Sequence, residues 1–168
     1  MYHKIKIITW IPALFIMAII FGFSASTGEQ SSGLSLELTK DIVNMVTDIT
    51  NAEINQDEEL KIIEMIHTPI RKLGHVTEYA ALGFALCIPF YFYHGKRKRD
   101  LYVYCESFLI IYAGIDEMHQ LFVAERSGRL SDVLIDGAGG AIGILAFCIV
   151  LNIILNIRIK AHLRKENV

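Results

Sequence analysis

Four long apolar stretches constrain this chain more than any other feature. Residues 7–23 run almost unbroken from Ile7 to Phe23. Residues 73–93 are apolar apart from His75, Thr77 and Glu78. Residues 101–123 are interrupted by Glu106 and Ser107, then by Asp116, Glu117, His119 and Gln120. Residues 133–157 carry only Asp136, Asn152 and Asn156 as polar side chains. A helix needs about 20 mostly apolar residues to cross a bilayer, so each stretch predicts a span. The 168 residues leave room for one domain, 1–168. A hydrophobic share of 53% and a mean hydropathy of +0.41 are too apolar for an ordinary soluble domain. The first stretch has a rival reading as a signal peptide, because Phe23-Ser24-Ala25-Ser26 offers small residues for cleavage. Its run exceeds the about 7–15 residues of a signal core, so a retained helix is expected.

Basic residues set the orientation, since short cytoplasmic loops concentrate them. Lys4 and Lys6 precede the first stretch, Lys96, Arg97, Lys98 and Arg99 join the second to the third, and Arg158, Lys160, Arg164 and Lys165 follow the fourth. The expected fold is therefore an all-α integral protein of the cell membrane. It has four transmembrane helices, both termini cytoplasmic, and outer loops at 24–72 and 124–132. The long outer loop is expected to be partly helical. Leu38, Ile42, Met45, Val46 and Ile49 have helical spacing, as do Ile62, Ile63 and Ile66. Asn55 and Glu58 have the spacing of an N-cap and its acid, and Pro69 is expected to divide that helix from the second span. Nine acids against four Lys or Arg make the loop read as an amphipathic pair resting on the bundle or headgroups, with a solvated charged face. Three cysteines, Cys87, Cys105 and Cys148, lie in apolar runs without metal-ligand spacing and read as reduced packing residues.

Ionisable groups inside a span cost a few kcal/mol each, so they demand a reason. The topology brings them to one end. His75 and Glu78 lie near the outer end of the second span, Asp116, Glu117, His119 and Gln120 near that of the third, and Asp132 and Asp136 open the fourth. Arg71, His75 and Glu78 form an i, i+4, i+7 stripe. Asp116 and Glu117 are about 100° apart on their helix, so both are not expected to point equally inward. The second and fourth helices are expected to begin here, where free N–H groups favour anions. Arg71, Lys72, Arg126 and Arg129 add to that preference. His75, Glu78, Asp116, Glu117, His119 and Asp136 are the candidate chemical groups; Arg71, Gln120, Arg126, Arg129 and Asp132 are candidates for binding. Asp132 reads equally well as a helix cap. Any one pair could simply tie two helices together. Glu106 is expected to reach water and Arg99 near the cytoplasmic end. Gly139 and Gly143 read as a close-packing seam.

Several of these residues stand in motifs: Phe23-Ser24-Ala25-Ser26 with Gln30-Ser31-Ser32, then Arg71-Lys72-Leu73-Gly74-His75-Val76-Thr77-Glu78-Tyr79, and Asp116-Glu117-Met118-His119-Gln120. Arg126-Ser127-Gly128-Arg129 and Asp132-Val133-Leu134-Ile135-Asp136 follow. In this order, from about Trp10 to Leu151, they resemble the VanZ-like family of small bacterial membrane proteins. The acidic stretch from Asn51 to Glu59 departs from the family pattern. The resemblance implies a cell-envelope role and a link to resistance to teicoplanin, a lipid-bearing glycopeptide, but no settled reaction.

Three functions fit these residues. One is a site reached from the outer leaflet for a lipid-linked envelope precursor or a lipoglycopeptide. Another is an enzyme using a carboxylate or histidine as general base, with or without a divalent metal, although no His-Glu-x-x-His spacing occurs. The third is a transporter or proton relay, which the confinement of polar groups to the outer half opposes. The lipid bilayer is the expected partner, nucleic acid is not, and neither a cofactor nor a metal site is specified.

Overall fold

The computed structural model describes residues 7–52, 54–94 and 99–166. Five helices follow in order: α1 (Ile11–Ser24), α2 (Gly28–Thr50), α3 (Gln56–His94), α4 (Arg99–Gln120) and α5 (Leu130–Glu166), with no strand among the described residues. The core gathers around α3, which packs on all four others and most extensively on α5. Tyr79, Leu82, Leu86, Leu101 and Leu109 are fully buried there. Trp10 closes one end against Phe90, with ring centroids 5.5 Å apart. Cys87 and Cys105 are free thiols within the same core, their sulfurs 3.8 Å apart.

Glycine sets how closely α3 and α5 approach. A Cβ on Gly143 would run into the Ala80 carbonyl and stand 2.9 Å from the Phe84 nitrogen; one on Gly139 would lie 2.6 Å from the Val76 oxygen. The expected seam is present, and Gly83 of α3 faces Gly140 of α5 in the same way.

Two helices, α3 and α5, are long and apolar enough to cross a membrane. The pair α1 and α2 would count as a third only as one broken span, because they bend by 106° at their junction. Of the four expected spans, 73–93 and 133–157 lie within α3 and α5. The 7–23 stretch yields α1, whose 14 residues rise about 21 Å. The 101–123 stretch yields α4, whose apolar run is broken by Glu106, Asp116 and Glu117. Lys4, Lys6, Lys96, Arg97 and Lys98, which carry part of the orientation argument, lie outside the described residues, as does Glu53.

Residues 24–72, expected as a partly helical outer loop, are more helical than expected. Asn55 and Glu58 cap α3 reciprocally: the Glu58 N–H donates to Asn55 Oδ1 at 2.9 Å and the Asn55 N–H to Glu58 Oε2 at 3.2 Å. From there α3 runs 39 residues, straight through Pro69 and Pro89. Pro69 therefore does not separate two helices. A proline removes one backbone hydrogen bond, and a helix packed on neighbours along its length can absorb that loss. Asn51 ends α2 in the left-handed region at φ 50°, a conformation asparagine tolerates.

Candidate functional site

The connection between α4 and α5 builds one wall of the site by clasping the bend between α1 and α2. Arg126 donates from Nη2 to the Phe23 carbonyl at 2.8 Å and from Nε to the Ser26 carbonyl at 3.1 Å. A cation thereby meets the C-terminal end of α1. One residue earlier, Glu125 Oε2 accepts the Glu29 N–H at 3.1 Å, setting a carboxylate on the N-terminal end of α2. Gly28 donates its N–H to the Ala124 carbonyl at 3.1 Å, and the Glu125 carbonyl fills the space where a Cβ on Gly28 would stand. Burial first, and then the neighbouring Arg71 charge, push the Arg126 guanidinium below its ordinary pKa, and it remains charged.

Behind this clasp lies a cavity of about 200 Å³. Arg71 and His75 of α3, Glu117 and Gln120 of α4, Asp132 and Asp136 of α5, and Arg126 and Arg129 of the connection all line it, together with Lys72 and Glu125. Most of the residues singled out by sequence thus converge. Several are already engaged. Glu117 Oε2 accepts the Arg129 backbone N–H at 2.7 Å, so this carboxylate caps α5 from another helix. Asp132 lies inside the first turn of α5 and is not its N-cap; its Oδ1 stands 3.8 Å from Lys72 Nζ. Arg71 and Arg129 form no ion pair among the described residues, which leaves their guanidiniums available at the cavity. Asp136 is 2% exposed and has no hydrogen-bond partner among the described residues, yet it borders the cavity.

Three candidates stand off this wall. Glu78 lines an adjoining groove of about 360 Å³, which shares Arg71, His75 and Arg126 with the polar cavity. His75 Nδ1 and Glu78 Oε2 are 3.8 Å apart, too far for a hydrogen bond. Asp116 is buried behind the wall, where Gln120 Nε2 donates to its Oδ2 at 3.2 Å while Oδ1 has no partner. His119 turns to α1 and packs on Phe21, ring centroids 4.6 Å apart. Asp116 and Glu117 are both buried, contrary to the expectation from their 100° offset, because neighbours on adjacent faces of α4 enclose one each. Glu106 also departs from its expected path. Its Oε2 is buried without a partner, and its Oε1 points toward Gly137 of α5, not toward Arg99. The helix ends differ as well: α3 begins 17 residues before Leu73, so the N-termini at the site are those of α2 and α5.

The family pattern described as VanZ/LLP1 matches residues 9–152, most of the chain. The chain belongs to the VanZ/LLP1 family. It is thus a membrane-type helical protein whose family match includes every residue of the cavity. No curated protein and no solved structure matches it significantly.

Glu125, which lines the cavity and caps α2, escaped the sequence reading of this VanZ-family site, and so did a pair beside the groove. Ser35 Oγ and His67 Nε2 are 2.7 Å apart, tying α2 to α3 beside the groove. A signal existed for His67, which stands four residues before Arg71 and extends the His75–Glu78 stripe. Ser35 had none, because its place depends on the bend before α2. Among the described residues no three His, Cys, Asp or Glu side chains converge as a ligand set, so the metal-assisted reading gains no support.

Proposed function

We propose that this VanZ-family protein recognises, from the outer face of the membrane, the anionic head of an amphiphile: a lipid-linked envelope component or a lipid-tailed glycopeptide. The observation that carries the reading is the polar cavity. It offers the unpaired guanidiniums of Arg71 and Arg129 beside the buried carboxyl of Asp136. Arginine pairs supply forked donors matched to phosphate or carboxylate. The Asp136 carboxyl would take a hydroxyl or ammonium of the same head. The helix ends need no further anion, because Glu117 and Glu125 already cap them, so charge selection falls to the arginines. The accompanying topology is four membrane passes with both termini cytoplasmic, which puts the cavity at the outer leaflet. Polar groups at that depth are tolerated where they line a water-filled cavity.

Expression in a susceptible bacterium tests this directly. Protection against teicoplanin should exceed protection against vancomycin, which lacks the lipid tail, and Arg71→Gln and Asp136→Asn should lose it while accumulating normally in the membrane. Equal protection against both drugs would refute recognition of the tailed molecule.

A further inference from the structure

The head-group site does not end in protein. Its cavity opens sideways into the 360 Å³ groove, whose remaining walls include Phe23, Leu34, Leu38 and Ile70. That groove runs on into a second, of about 590 Å³, between α1, α2 and α3, where Ile16, Ile20, Ile42 and Leu73 face each other. The two grooves share Leu38, Ile70, Gly74 and Glu78. One path therefore passes from charged walls to apolar walls, and each groove has the volume of a small-molecule site, about 300–1,000 Å³. Glu78, the one carboxyl lining either groove, stands at their border.

We propose that this path holds the acyl chain of a single-tailed anionic lipid whose head occupies the polar cavity, and that Gly74 keeps the path open. The proposal rests on the head-group reading above and adds the tail. Gly74 borders both grooves, and a Cβ built on it would meet no atom within 4 Å. Unlike Gly139 and Gly143, it is not required by helix packing. A glycine in the interior of a helix lowers its stability, so its presence here needs another reason. The reason is the space beyond it, into which any larger side chain would project. Leu38 and Ile42 of α2 cover the path from above, and Ile16 and Ile20 of α1 bound it from the side. Arg71 and Arg126 stand where the polar cavity meets the first groove, the position the negative charge of the head would take. The polar cavity and the two grooves follow one another through shared walls, a line that fits one acyl chain.

The test uses the full chain in phosphatidylcholine nanodiscs and three probes: palmitoyl lysophosphatidate, dipalmitoyl phosphatidate and glycerol 3-phosphate. Displacement of a fluorescent single-chain phosphate lipid reports binding. The single-tailed lipid should bind about tenfold or more tightly than the headgroup alone, since burying methylenes is favourable. It should also bind more tightly than the two-tailed lipid. Gly74→Phe should abolish the advantage of the tail and leave glycerol 3-phosphate binding unchanged. Gly74→Ala, a smaller intrusion, should retain most of it and melt no lower than the parent. Arg71→Gln should weaken all three probes. Unchanged lipid binding in a folded Gly74→Phe protein overturns the tail site, and so does equal or tighter binding of the two-tailed lipid. Binding of the headgroup with no gain from a tail removes the groove proposal alone. Binding of no probe removes the head-group reading beneath it.

Discussion

The contact between α3 and α5 at Gly143 allows a prediction with a magnitude. In Gly143→Ala the new methyl meets the Ala80 carbonyl group, with the carbon at 2.7 Å, and the Phe84 nitrogen at 2.9 Å. These are backbone atoms of a 39-residue helix and cannot turn aside as a side-chain end could. Overpacking of this kind costs about 1–3 kcal/mol. Alanine also returns about 0.5–1 kcal/mol of helix stability relative to glycine, which blurs a single measurement. Gly114→Ala in α4 removes that ambiguity, because a Cβ there meets nothing within 4 Å and the substitution gains only the helix term. The difference between the two variants isolates the clash. For a chain of this size, about 2–4 °C of melting temperature accompanies each kcal/mol, so Gly143→Ala should melt roughly 2–12 °C below Gly114→Ala. The assay is thermal unfolding of the detergent-solubilised variants followed by size-exclusion chromatography. Equal melting temperatures would refute the idea that backbone contact at Gly143 sets the spacing of the two helices.

Other expectations follow from the clasp and the caps. Glu117→Ala removes a charge-assisted bond to the Arg129 N–H and should cost about 1.5–3 kcal/mol, whereas Glu117→Gln keeps an acceptor and should cost less; equal melting of the two would contradict the cap. Arg126→Lys cannot reproduce the two-carbonyl grip on Phe23 and Ser26 with a guanidinium's geometry, so spin-label distances between α1 and α2 should broaden. An unchanged distribution would show that the bend is held elsewhere. Reporter fusions after Lys165 should read cytoplasmic and near Asn51 outside, and a cytoplasmic signal near Asn51 would reverse the proposed orientation.

Sequence pattern reached the features that depend on local chemistry. The Asn55–Glu58 cap needs only residues three apart, and the Gly139–Gly143 seam only a helical period, so both were legible. The stripe of Arg71, His75 and Glu78 was legible for the same reason, and it does border connected cavities. What escaped depends on partners distant in the chain. The 106° turn after Ser24 is held by Arg126 and Glu125, about 100 residues later, and no local pattern encodes it. Without that turn, Ser35 has no reason to meet His67. Glu117 looked like a chemical group because the N–H it caps, on Arg129, lies across a loop. Pro69 misled in the other direction: its local preference to end a helix was overridden by packing along α3.

The glycine seam has a mechanical consequence for the site. Gly139 follows Asp136 by one helical turn and abuts Val76, the residue after His75. The heights of the carboxyl and the imidazole are thus indexed to each other by backbone contact, like two scales pinned at one mark. Sliding α5 along α3 by one turn, the ratchet by which other helix pairs switch state, would bring the Cβ of Phe147 against the Ala80 carbonyl or that of Ile135 against the Val76 carbonyl, according to direction. The α3–α5 side of the cavity is therefore a fixed jaw. Any widening belongs to the opposite jaw, α1 and α2, which is tied to the rest by the two-carbonyl grip of Arg126, the Glu125 and Ala124 bonds to the start of α2, the Tyr112 hydroxyl on the Met17 carbonyl and the Ser35–His67 bond.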